Sequence, residues 1–286
     1  MDCRSQERLV IINADDFGWS RGVSAGIVEA HVNGVLTSTT LAANMPAAAD
    51  CLDMLKDAPA LGVGVHLNVA QGPTLSKLGR RLAGPDGLMN RTAVGVIKAC
   101  MFRPWLLAAV EAEFDAQIRW VIDHGIRPTH LDSHRHAHAF GPIARIVERL
   151  ARRYGIDCIR RPIEKLPAGD WPATTAKARR VAWMVGLAWR LGRHDATLFP
   201  ATGTLGIAHT GQIDSTYLIQ AAASVEPGLT EIMTHPGHPE DLDPSQTRLL
   251  GGRRQELTAL CDAGVRESFA RQGIKLVHYG TIQESR

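Results

Sequence analysis

The sequence has no CxxC pair and no Gly-x-Gly-x-x-Gly or Walker loop. These absences argue against a thiol redox centre, a Cys-rich zinc site and a bound nucleotide cofactor. Aromatic residues make up only 5% of the chain, and no stretch reaches the roughly 18 apolar residues of a membrane-spanning helix. The net charge of +3 comes without a dense Lys/Arg block, so nothing marks a nucleic-acid footprint. The five cysteines (Cys3, Cys51, Cys100, Cys158, Cys261) are odd in number and far apart. That spacing suits free thiols in a reducing, cytoplasmic setting. The apolar run before Asp15 is too short for a signal peptide.

What remains is an ordinary globular composition, 45% hydrophobic and 21% charged over 286 residues. A chain of this length can bury a substantial core. Histidine stands out, with 12 copies, seven of them at His66, at His130, His134, His136 and His138, and at His235 and His238.

Hydrophobic patterning predicts strands at 8–13, 35–42, 61–69, 129–132, 157–161, 229–234 and 275–278. Helices are expected between them: one capped by Ser20 and running to about Asn33, and others at 47–56, 106–124, 143–154, 215–224, 248–262 and 265–272. Residues 70–104 read as a long excursion with one short helix, and 163–210 as irregular around an apolar helix near 178–191. Alternating strands and helices imply a mostly parallel sheet, doubly wound or closed as a barrel. Asp15/Asp16, His66, Asp132/His134 and His235 all fall near the C-terminal ends of four different strands. An α/β fold of the (β/α) barrel-like type gathers such ends on one face, whereas an open sheet gathers only those beside its switch point. One domain covering residues 1–286, with insertions near 70–105 and 163–210, is therefore expected.

Asn13-Ala14-Asp15-Asp16-Phe17-Gly18 sets two carboxylates at a strand end. On an extended chain neighbouring side chains point opposite ways, so one acid can hold a metal while the other faces the water beside it. Asp16-Phe17-Gly18 also mimics a kinase metal-binding tripeptide, but it lacks the rest of that signature. Between Thr129 and His138 four imidazoles lie within nine residues. Alternation can aim only one or two of them at a single metal. Thr234-His235-Pro236-Gly237-His238 holds a histidine before a rigid turn, as a positioned general acid requires. No cysteine stands beside a His-bearing motif. Together these residues make the inventory of a metal-dependent hydrolase.

These motifs, with Leu-Thr-Ser-Thr-Thr (36–40) and Gly-Val-His-Leu (64–67), resemble the YdjC-like family, the chitooligosaccharide and hopanoid-associated deacetylase group. The matches are co-ordered and span residues 8–238. The resemblance implies a barrel-like carbohydrate deacetylase with one divalent metal on Asp16, His66 and His134, Asp15 as base and His235 as acid. Asp132, His136, His238 and Arg160 are expected as supporting or substrate-contacting groups. The family implies Mg²⁺, while two imidazoles would suit Zn²⁺ or a similar ion. The expected partner is an N-acetylated amino sugar, handled by a cytoplasmic homo-oligomer that binds no nucleic acid.

Three alternatives stay open: a lipid-linked amino sugar with peripheral membrane contact, another bond hydrolysed at the same metal site, or a non-catalytic sugar-binding barrel. The apolar segment Met101–Val110 bears on the first, as does the segment Val181–Leu191, with Trp183, Trp189, Arg179, Arg180 and Arg190. Its simpler reading is a packed helix with snorkelling arginines.

Overall fold

Ten residues, Arg8–Phe17, form β1, and all but the first two are buried. A strand hidden on both faces reads as a continuous apolar run, as Leu9-Val10-Ile11-Ile12 does, because helices cover the outside and side chains fill the inside. The computed structural model describes residues 7–165, 171, 174–244 and 247–284. The chain continues through α1 (Arg21–Val32), β2 (Ser38–Leu41), α2 (Ala48–Cys51) and β3 (Gly62–Leu67). A hairpin of β4 (Gln71–Pro73) and β5 (Leu88–Asn90) follows, then α3 (Ala93–Phe102), α4 (Leu106–Asp123), β6 (Leu131–Ser133) and α5 (Gly141–Tyr154). The remainder is α6 (Ala176–Arg190), β7 (Thr204–Leu205), α7 (Ser215–Ser224), β8 (Gly228–Thr234), α8 (Leu250–Leu260), α9 (Ala263–Arg271), β9 (Lys275–Leu276) and α10 (Tyr279–Glu284).

The main sheet runs β6-β3-β2-β1-β8-β7, with β9 paired to the start of β1. Every pairing in it is parallel. Ile159 bridges Leu131 of β6, and Glu164 bridges Thr204 of β7. The stretch between them thus joins the two outer strands, and the curled sheet has the expected (β/α) barrel-like form. The 157–161 strand is a correction: it makes one bridge to Leu131 rather than a ladder, while the Ile159 N–H donates on its other side to the Leu198 carbonyl at 2.7 Å. The 47–56 helix is another. It is α-helical only to Cys51 and then tightens to a 3₁₀ turn over Leu52–Asp57.

Ser20 caps α1 as expected, accepting from the Val23 N–H at 3.1 Å, a contact worth about 1 kcal/mol. The loops after the strands are pinned from α1. A Cβ on Gly26 would lie 2.6 Å from the Gly237 Cα, so only glycine lets α1 approach the turn that follows β8.

Glu164, beside β7, accepts the backbone N–H groups of Gly206 and Ala208. Burial raises its pKa to about 7 despite these hydrogen bonds. A carboxyl whose pKa is raised on folding stabilises the fold below its unfolded value near 4.5 and loses that contribution as pH rises toward 7. Glu164→Gln should therefore make the decline in unfolding free energy between these pH values shallower than in the unmodified protein, as read from urea titrations. An unchanged slope would show that Glu164 does not titrate there.

Candidate active site

The strand β1 breaks register with β2 between Ala14 and Phe17, and Asp16 takes a positive φ of 76°. A non-glycine residue held there is strained by roughly 1–3 kcal/mol and persists only where its surroundings impose it. The bulge corrects the expectation that Asp15 and Asp16 point apart. Both carboxylates are buried beside His66.

Asp16 Oδ1 lies 3.4 Å from His66 Nε2 and 3.6 Å from His134 Nδ1, and the two imidazole nitrogens are 3.4 Å apart. Asp16 Oδ1 is buried and has no hydrogen-bond donor among the described residues. Three donors at these spacings can share one cation. Bonds of about 2.1 Å at tetrahedral angles put ligand atoms about 3.4 Å apart. His66 arrives from β3, where it lies directly across from Asp132 on β6. His134 opens the 3₁₀ turn His134–Ala139, in which Arg135 and His136 also have positive φ. The Trp19 ring lies 4.9 Å from the His134 ring, tilted by 34°.

Asp132 Oδ1 accepts from His66 Nδ1 at 2.7 Å, and Thr40 Oγ1 donates to Asp132 Oδ2 at 3.1 Å. This fixes the tautomer that leaves Nε2 turned toward Asp16. Burial opposes a charge on His66, but Asp132, with Asp15 and Asp16, outweighs it and lifts the pKa to about 9. A cation at the three donors would replace that proton.

Arg160 is fully buried and grips Asp15 with two hydrogen bonds, at 2.7 and 2.9 Å. It also reaches Asp132 at 2.7 Å and Glu231 at 2.8 Å. Burial favours the neutral acid at Asp15, yet Arg160, followed by His66 and His235, holds its pKa well below the usual carboxylate range. Arg253 of α8 holds Asp16 Oδ2 at 2.5 Å and leaves Oδ1 free. Four carboxylates thus face two guanidiniums. With neutral histidines the deficit is the charge of one divalent ion.

His235 Nε2 stands 3.8 Å from Asp15 Oδ2. Its backbone N–H donates to Glu256 at 2.5 Å, and its Nδ1 has no partner among the described residues. Burial lowers its pKa to about 4, against the pull of Asp15 and Asp16. His136 Nδ1 is likewise buried and unpartnered. Burial, followed by Arg160, keeps that ring neutral. His138 instead pairs with Ser133 Oγ and the Arg160 carbonyl, and His130 stacks on Tyr279 at 4.0 Å. His238 is a correction: it pairs with Glu29 of α1 at 2.9 Å, 39% exposed, because the Pro236-Gly237 turn carries it outward.

Sequence reading missed Arg253, Glu231, Thr40 and Glu256. Only the Thr-rich run of β2 offered any signal. Gly22-Val23-Ser24-Ala25-Gly26 spells a serine-hydrolase elbow. Ser24 is fully buried inside α1, however, and donates to the Ser20 carbonyl at 2.8 Å. A surface cleft of about 520 Å³ along α4, lined by Ser76, Asp115 and Arg119, shares no residue with the site.

Residues 9–271 match the family described as YdjC-like protein. The chain belongs to the YdjC-like family. A carbohydrate deacetylase of Geobacillus stearothermophilus is 32% identical over 273 residues, covering 95% of this chain and 97% of that one. A carbohydrate deacetylase of Halalkalibacterium halodurans is 40% identical over 149 residues, 51% of this chain and 61% of that one. In fold, the chain is similar to the crystal structure of an Enterococcus faecalis V583 protein provisionally assigned to cellobiose-phosphate cleavage. The TM-score is 0.77 at 24% identity, over 96% of this chain and 99% of that one.

Removing Arg160 leaves three buried carboxylates without their counter-charge. Arg160→Met should cost about 3–5 kcal/mol of unfolding free energy at neutral pH. The deficit should shrink toward pH 4 as the abandoned acids protonate. Urea unfolding at the two pH values checks both statements.

Proposed function

We propose that this YdjC-like protein is a metal-dependent carbohydrate N-deacetylase that removes acetyl from an N-acetylated amino sugar. The observation that carries the reading is the open triangle of Asp16 Oδ1, His66 Nε2 and His134 Nδ1 next to Asp15 and His235. The names of the relatives agree with it. A divalent ion held by Asp16, His66 and His134 supplies Lewis-acid polarisation of the acetyl carbonyl and a lowered water pKa. One carboxylate and two imidazoles favour a borderline ion such as Zn²⁺ over Mg²⁺.

Asp15, kept ionised by Arg160, takes the proton of the attacking water. His235 is neutral in the resting site, so the proton it delivers to the departing amine comes from Asp15, 3.8 Å away. Water thus provides both the hydroxyl that ends in acetate and the proton that ends on nitrogen. Asp132 and Thr40 hold the His66 ring, and Arg253 holds Asp16 so that one oxygen remains for the ion. His136, with its unpartnered Nδ1, is the polar group offered to the sugar, and Trp19 backs the ring of His134.

A second reading, in which the sugar is carried on a lipid, is favoured by one observation. The helix α6 is not the packed helix expected: Trp189 is buried, but Trp183 is 62% exposed and Leu191 is 79% exposed.

Acetate release from N-acetylglucosamine oligomers and from glycolipids, with and without added divalent ions, tests the activity and separates the two substrates. Asp15→Asn should retain the metal and lose roughly 10²–10⁴-fold in kcat. His66→Ala and His134→Ala should instead lose the metal by elemental analysis. Full metal content in both histidine variants, or near-normal turnover by Asp15→Asn, would refute these assignments.

A further inference from the structure

Two helices pack against the turn that carries His134: α3 from one insertion and α6 from the other. A surface helix ordinarily buries its apolar stripe and shows water its polar one. Here each helix buries part of its apolar content and exposes the rest. On α3 and the residues after it, Val96 and Cys100 are buried, while Met101, Phe102 and Trp105 are 62%, 80% and 61% exposed. On α6 and the residue after it, Ala182 and Trp189 are buried, while Trp183, Met184 and Leu191 are 62%, 46% and 79% exposed. Large apolar side chains exposed singly need no explanation, but a concentration of them around a functional site marks an interaction surface.

Charge identifies the partner. From Gly87 to Val110 the sequence carries Arg91, Lys98 and Arg103 and no acidic residue. From Trp171 to His194 it carries five Lys and Arg, again with no acid. The lysines and arginines of α3 and α6 are exposed, and among the described residues none of them meets an acidic partner. An apolar surface with Trp and Phe exposed, on two segments whose only charged side chains are cations, complements an anionic lipid bilayer. Rings and aliphatic chains enter the headgroup boundary while guanidinium and ammonium groups meet lipid phosphates. No helix among the described residues is long and apolar enough to cross a membrane.

We infer that α3 and α6 form a docking face by which this protein lies on an anionic membrane surface, with the turn bearing His134 beside the lipid. The face does not depend on the deacetylase reading, and vesicle binding is measured apart from acetate release. Co-sedimentation of the full-length, metal-loaded protein with phosphatidylcholine vesicles, with and without phosphatidylglycerol, tests it. Binding should require phosphatidylglycerol and weaken with salt. Trp183→Ser with Leu191→Ser, and Phe102→Ser with Trp105→Ser, should each lower the affinity about tenfold or more, with metal content unchanged. Arg179→Glu with Arg180→Glu should do the same without removing apolar surface, so a packing defect in the serine variants would not decide the outcome. Absence of binding, equal binding to neutral vesicles, or a wild-type dimer in sedimentation equilibrium that these substitutions dissolve without any vesicle binding would each overturn the proposal. The last result would assign the face to a second copy of the chain.

Discussion

The Arg160 guanidinium is the interaction on which the site depends. Four carboxylates crowd the buried interior of the barrel, and without cations among them their mutual repulsion and desolvation would force protonation or unfolding. Arg160 touches Asp15, Asp132 and Glu231 together, so the group that keeps Asp15 ionised also anchors the carboxylate that orients His66. Arg253 does the same for Asp16 from the opposite side. This arrangement leaves a small residual negative charge, directed at the three donor atoms, and that is the condition for holding a divalent ion strongly without an excess of ligands.

The same economy explains the local backbone strain. The positive φ of Asp16, Arg135 and His136 lies where β1 and β6 give way to the site, in segments held by the parallel ladder on one side and by ion pairs on the other. A regular strand would separate Asp15 from Asp16 by its pleat. The bulge instead lets one acid face the cation position and its neighbour face Arg160 and His235. In the proposed mechanism, proton handling and ligation are thereby divided between adjacent residues held by different guanidiniums.

The segments that carry α3 and α6 add a second layer at the same end of the barrel. The helices α3 and α6 both rest on the His134–Ala139 turn, so the elements that lie outside the strand-helix repeat frame the chemistry. Their buried residues, such as Trp189 stacked on His194 at 3.6 Å, fix them to the barrel and explain why apolar side chains on their outer faces are held outward rather than collapsing into the core.

Much of this was legible in the residues themselves. Strand periodicity placed Asp16, His66, His134 and His235 at strand ends, and a parallel sheet brings such ends together whatever the detailed register. Alternation limited how many of the four clustered histidines could share one centre, and only His134 joins Asp16 and His66. Other features depended on contacts that sequence spacing does not encode. Arg160 meets Asp15 across 145 residues and Arg253 meets Asp16 across 237, and nothing near either arginine in the chain points to its partner. The register shift in β1 sits where its pairing with β2 breaks between Ala14 and Phe17, and His238 turns outward where Gly237 packs against α1. For α6, hydrophobicity gave the helix but not the side that faces water. Periodicity records how residues are arranged along an element, whereas the neighbours of that element are decided only when the whole barrel closes.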